Sequence, residues 1–298
     1  MTRRVIVVFI LLAGLLIAGL SQASSTIIET QYLIVSDATG KLSDARLKSL
    51  ADQAQAMFER ILAFWSADSE IGQFGKIRVI FDAPRRRDYY TSVVDIAYKE
   101  HGRRVRAVRV FGAERSPLEV AHKLTNAVFL HEDKLIRNMI GVSTEEQVGN
   151  PLSWPGCGFS SDDWVLAFLK TKTFIPLNEL GPDHESWGMK VGGDGFPSVF
   201  DRARQSRAYA EVGSFGSYLI RTYGINKIKQ FYKLSGRKKR PWQDVFGIGI
   251  QELEANWLKT LQADEKIRDE NVSTLSKLFE RNPNTACLEA QKLVTGKQ

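Results

Sequence analysis

The sequence predicts an α+β fold, with a mixed sheet and helices in the N-terminal part and an all-helical C-terminal part. Three observations carry this. β-rich stretches at 30–36, 76–81 and 104–111 all fall early in the chain. A long helical apolar period separates the first two. Beyond residue 140 the apolar spacing is helical, broken only by loops rich in Gly and Pro.

The elements follow in order. Residues 30–36 (TQYLIVS) read as a strand. Ser43 is an N-cap candidate for a helix over 43–65, with apolar positions Leu47, Leu50, Ala51, Ala54, Met57, Phe58, Ile61, Leu62 and Trp65. KIRVIF at 76–81 is a second strand, ended by Pro84 and Arg85-Arg86-Arg87. RVRAVRVF at 104–111 is a third. Arg104 and Arg106 share one of its faces, opposite Val105 and Ala107, and Arg109 departs from that alternation. Such charge predicts a sheet-edge strand. Pro117 then opens a helix over 118–136. The second half gives a loop at 150–161, a short helix at 164–170 and a loop at 188–197. Helices follow at 203–223, 225–234, 243–246, 250–262 and 271–279, with a fraying tail from Lys292. No internal repeat is visible.

The chain starts with Arg3-Arg4, an unbroken apolar run over 5–20 and Ser21-Gln22-Ala23. This is the pattern of a secretory signal peptide, and the run is short for a membrane span of about 20 residues. The expectation is export to a periplasmic or extracellular location with cleavage after Ala23, the alternative being an uncleaved N-terminal anchor. No stable span is expected after cleavage. The organisation is then 1–23 signal peptide, 24–262 one domain (an α/β part at 24–140 and a helical part at 141–262), and 263–298 a helical extension. The net charge of +7 is mild and dispersed, and gives no case for nucleic acid. Cys157 and Cys287 are the two cysteines. An oxidising compartment permits a bridge, but their spacing does not decide it.

The segment EVAHKLTNAVFL at 119–130 carries the main chemical signal. Zinc peptidases place H-E-x-x-H on a helix, so that two His at i and i+4 bind the metal and the Glu is general base. Here the frame reads His122-Lys123-Leu124-Thr125-Asn126. With WPGCG at 154–158, IPLNEL at 175–180, the 208–232 segment beginning AYAEVGSFGSYL and GIGIQELEANWLKTL at 247–261, the chain resembles the gluzincin, or peptidase MA-like, family. The resemblance implies a zincin-like fold. It places His122 at the first zinc ligand, Lys123 at the catalytic Glu and Asn126 at the second His. The third ligand falls at Cys157 in a W-x-x-E-G frame, or near Glu145 by another spacing. Tyr209 is a candidate oxyanion-stabilising phenol.

Those substitutions disfavour zinc. An amide is a poor zinc ligand beside imidazole. A lysine ~5 Å from the dication, at an effective dielectric of ~20, is repelled by on the order of 6 kcal/mol before screening. Lys123 is also a poor proton acceptor at neutral pH. No metal or cofactor is therefore expected, zinc being retained only for an alternative, active hydrolase. For that alternative, a His122/His131/Cys157 metal site or a Cys157 nucleophile with His122 as base is conceivable. Against these stand plainer readings: a disulfide or small loop residue for Cys157, and exposed polar residues for His131-Glu132-Asp133. His184 reads as a surface loop residue, His101 as a turn residue, and Arg237-Lys238-Lys239-Arg240 as a solvated loop. Gly213-Ser214-Phe215-Gly216 has the wrong frame for a serine-hydrolase elbow.

The expectation is an exported zincin-like protein that has lost peptidase activity and persists as a peptide-binding or interaction module. Zincin clefts take peptides by adding a strand to a sheet edge. Arg104 and Arg106 on that edge would favour an extended peptide or an acidic envelope ligand.

Overall fold

Among the described residues the sheet has five strands in the order β1-β2-β3-β5-β4: β1 (Ile27–Glu29), β2 (Leu33–Asp37), β3 (Ile77–Asp82), β4 (Val93–Glu100) and β5 (Arg103–Phe111). Strands β2, β3 and β5 are parallel, and β1 and β4 pair antiparallel at the two edges. The computed structural model describes residues 26–67, 75–83, 93–100, 102–112, 119–193 and 197–296, without the side chains of 93–98, 103 and 104. The expected signal peptide, the Arg85–Arg87 loop, His101 and the Arg104 side chain lie outside the described residues.

Helix α1 (Asp44–Trp65) starts at Ser43, whose hydroxyl accepts from the Arg46 N–H. Its buried residues are the nine apolar positions of the sequence pattern, and they pack on β2. The basic strand is not at the edge. β5 lies between β3 and β4, and β4 (VVDIAYKE), which the sequence reading passed over, is the edge strand. The reason is local neutralisation. Arg109 pairs with Asp82 on β3, and Arg106 reaches backbone carbonyls of the next helix. Charges matched this way need no solvent edge.

The single helix expected over 118–136 is two helices, α2 (Ala121–Val128) and α3 (Lys134–Val148). Asp133 starts the second by accepting from the Leu135 N–H at 2.9 Å. Phe129, in the break, is buried edge-on against Trp65, with ring centroids 5.1 Å apart. Helix α4 (Ser161–Lys170) is opened by a capping box between Ser160 and Asp163. The expected 188–197 loop carries β6 (Met189–Val191), paired with β7 (Pro197–Val199).

Helix α5 (Arg202–Tyr223) runs through the centre of the helical half and packs on α3 and α4. The approach is close: a Cβ on Gly216 would stand 2.7 Å from the Met139 carbonyl oxygen. Then come α6 (Ile225–Ser235), α7 (Trp242–Phe246) and α8 (Ile250–Ala263). The last two helices are α9 (Glu265–Arg281) and α10 (Ala286–Thr295). Helix α9 is longer than expected, and Arg268 anchors it to Asp163 at 2.8 Å. The expected fraying from Lys292 is not seen. Helix α10 continues to Thr295, held by the Cys157–Cys287 disulfide and by the Gln291 amide donating to the Leu152 carbonyl at 2.6 Å. No helix among the described residues is long and apolar enough to cross a membrane.

Candidate functional site

Helix α2 carries the HKLTN segment, and it has no side-chain cap of its own, because Val120 stands at the N-cap position. Its first-turn N–H groups therefore need outside acceptors. Glu145 on α3 supplies one: its Oε2 accepts from the His122 N–H at 2.7 Å. At the other end, Arg106 Nη1 donates to the carbonyls of Ala127 and Val128. An anion at the start and a cation at the finish both suit the helix dipole.

The second oxygen of Glu145 accepts from the Asn150 N–H at 3.1 Å. Burial, offset only in part by its N–H partners and the nearby Lys123 charge, holds the Glu145 pKa above the ordinary carboxylate value. Glu119, just before α2, is raised to about 7, by burial and then by the charge of Glu145.

Beside α2 opens a cleft of about 400 Å³. Glu119, His122, Lys123 and Glu145 form one wall. Trp154 and Tyr209 form an aromatic part, their ring centroids 4.6 Å apart. Tyr209 also lies 5.9 Å from the His122 ring. Its hydroxyl accepts from Lys134 Nζ at 2.7 Å, and this ammonium is buried, 4.9 Å from the Trp187 ring centroid. The end of the chain adds Asn284, Thr285, Cys287, Leu288 and Gln291 to the lining.

No protein-family model, curated protein or solved structure matches this chain.

The donors do not fit a catalytic zinc ion, which takes three protein ligands and an open position. His122 and Asn126 do share a helix face, but that face is packed on the backbone of α3. A Cβ on Gly141 would stand 2.2 Å from His122 Cδ2 and 2.5 Å from Asn126 Oδ1. His122 Nε2 is 3.1 Å from Asn138 Oδ1. Cys157, the third-ligand candidate, is bonded to Cys287, their Cα atoms 5.3 Å apart. That corrects both its metal and its nucleophile readings, since the sulfur carries no thiol. Glu145 is brought to His122, but through the backbone, with both oxygens engaged. His131 is not at the cleft. Its Nδ1 accepts from the Asp133 N–H at 3.0 Å, its Nε2 lies 2.9 Å from Ser235 Oγ, and burial lowers its pKa. The His122/His131/Cys157 set is therefore not assembled, and no other metal-holding group of His, Cys, Asp and Glu occurs among the described residues.

Other expectations shift too. Asp133 is not an exposed polar residue: Arg240 grips its carboxylate with two bonds, at 2.7 and 3.1 Å, and also donates to the Leu180 carbonyl. The basic block is thus part contact and part surface, with Lys238 bonding Asp244 outside. His184 is half-buried beside fully buried Trp187. Its pKa falls to about 4, through burial first and then the charges of Lys134, Arg137 and Lys123. Sequence reasoning missed the C-terminal wall of the cleft and also Glu119, Arg202 and Gln205. The signal that pointed to that wall was Cys287, read only as an undecided partner.

Proposed function

We propose that the chain is an exported, zincin-like pseudopeptidase that binds an extended peptide in the α2 cleft without cleaving it. One observation carries this reading. Each position where the family resemblance puts a zinc donor is buried inside the protein, while about 400 Å³ of cleft stays open beside them. His122 Nε2 meets Asn138, Asn126 is walled by Gly141, and Cys157 is cross-linked.

Two further features support it. β4 is an antiparallel edge strand packed beside α2, which suits peptide binding by strand addition. A disulfide suits an oxidising, exported setting. The acidic preference expected from Arg106 loses its basis, because that guanidinium bonds the α2 carbonyls. Lys123 instead places a positive charge on the cleft wall, near a Glu119 carboxyl that is only part-ionised around neutral pH.

The test is calorimetric titration of the full chain with extended peptides against scrambled controls, beside metal analysis after incubation with zinc. Saturable binding weakened by Trp154→Ala, with far less than one zinc per chain, is the expected result. Peptide hydrolysis with stoichiometric zinc, or no preference over the scrambled peptides, would overturn the reading.

A further inference from the structure

The C-terminal wall of the cleft is attached in an unusual way. Of the ten residues of α10, only Ala286 and Ala290 are buried, and Leu288, Leu293 and Val294 are about half exposed. Two alanines bury little apolar area, so hydrophobic anchoring is weak. A helix of ten residues is also marginal by itself in water. The covalent bond between Cys287 and Cys157 is therefore the strongest attachment this helix has. The Gln291–Leu152 hydrogen bond adds a net contribution of only about 1 kcal/mol. Yet five residues between 284 and 291, Leu288 among them, line the cleft together with Trp154 and Tyr209.

We propose that α10 is a redox-latched strap: the Cys157–Cys287 disulfide holds it across the cleft, and reduction by a dithiol releases it and opens the site. The proposal concerns regulation of the cleft assigned above as the binding site, and to that extent rests on that reading. Cys157 is completely buried, whereas Cys287 is partly exposed and lines the cleft. The attacking thiolate therefore reaches Cys287. It forms a mixed disulfide there and expels Cys157 as a thiolate, which takes up a proton. The second thiol of the same reductant then attacks its own sulfur in the mixed disulfide and frees Cys287. Two electrons and two protons pass to the protein, and the reductant leaves as a cyclic or internal disulfide. The body of the fold keeps its contacts. Helix α9 remains pinned to α4 through Arg268–Asp163 and Phe279–Phe168, so release is confined to the chain after it.

The experiment is hydrogen exchange read by mass spectrometry on the full chain, oxidised and after dithiothreitol, with thiol counting to verify reduction. A Cys287→Ser variant is run beside it, and acrylamide quenching of tryptophan fluorescence reports access to Trp154. The expected result is loss of protection over 286–295 with protection over 121–148 retained, together with increased quenching. Unchanged protection over 286–295 in the reduced protein would overturn the proposal. So would loss of protection throughout, because the bond would then staple the whole fold instead of latching one helix. None of these readouts uses a peptide, so a cleft that binds no peptide would leave this result standing, and the reverse.

Discussion

Glu145 and Arg106 hold opposite ends of helix α2: the carboxylate accepts from the His122 N–H, and the guanidinium donates to the Ala127 and Val128 carbonyls. An eight-residue helix is too short to persist unaided. Its position, and with it the cleft wall, depends on these two clamps and on packing against the sheet.

Glu145→Ala should therefore strip acceptors from two N–H groups, those of His122 and Asn150. Each orphaned donor costs about 1–3 kcal/mol where no water reaches it, so a loss of about 2–6 kcal/mol is expected in urea unfolding. Glu145→Gln keeps one oxygen acceptor and should lose less. Equal losses for the two variants would refute the double-acceptor role.

Glu119 links the cleft to pH. Its folded pKa, about 7, lies above the ordinary 4.5, so between those values the native state binds more protons than the unfolded one. Stability then falls as pH rises through that window. Glu119→Gln should flatten part of this fall, measured by unfolding at pH 4.5, 6 and 7.5. An identical pH dependence in the variant would show that burial and the Glu145 charge do not act on it.

Gly141→Ala tests the packing that closes the motif face. The added methyl meets His122 and Asn126 at distances no real contact allows, and both side chains are buried. Overpacking of about 1–3 kcal/mol is expected, with a shift of the His122 ring signals in NMR. A neutral substitution would mean that the face has room, and room for a metal would have to be reconsidered.

Two residues of one basic block should behave differently. The Arg240–Asp133 pair is shielded, at 16% and 10% exposure, whereas Lys238–Asp244 is open, at 56% and 44%. Breaking a buried pair costs about 3–5 kcal/mol and an exposed one under about 1 kcal/mol. Arg240→Ala should therefore lower the urea midpoint clearly, and Lys238→Ala hardly at all.

The amphipathic helices were legible because their period is local. The nine apolar positions of α1 are its buried face, and Ser43 caps it as read. What escaped was settled by partners distant in sequence. The 118–136 period looks continuous, yet Asp133 restarts the helix because Arg240, more than a hundred residues on, fixes its carboxylate. The arginines of β5 suggested an edge only because Asp82 and the α2 carbonyls could not be seen beside them. Of the candidate site, His122, Lys123, Glu145 and Tyr209 do meet at one cleft. The C-terminal part of the lining could not be placed, since no local pattern tells a terminal helix where to dock.

That segment has a consequence for biosynthesis. His122 and Tyr209 emerge from the ribosome well before residues 284–291, which complete the cleft. A nascent chain must therefore wait, with part of its cavity lining missing, until the closing segment arrives and its sulfur is oxidised. Any helper that shields exposed surface during synthesis would find its target there.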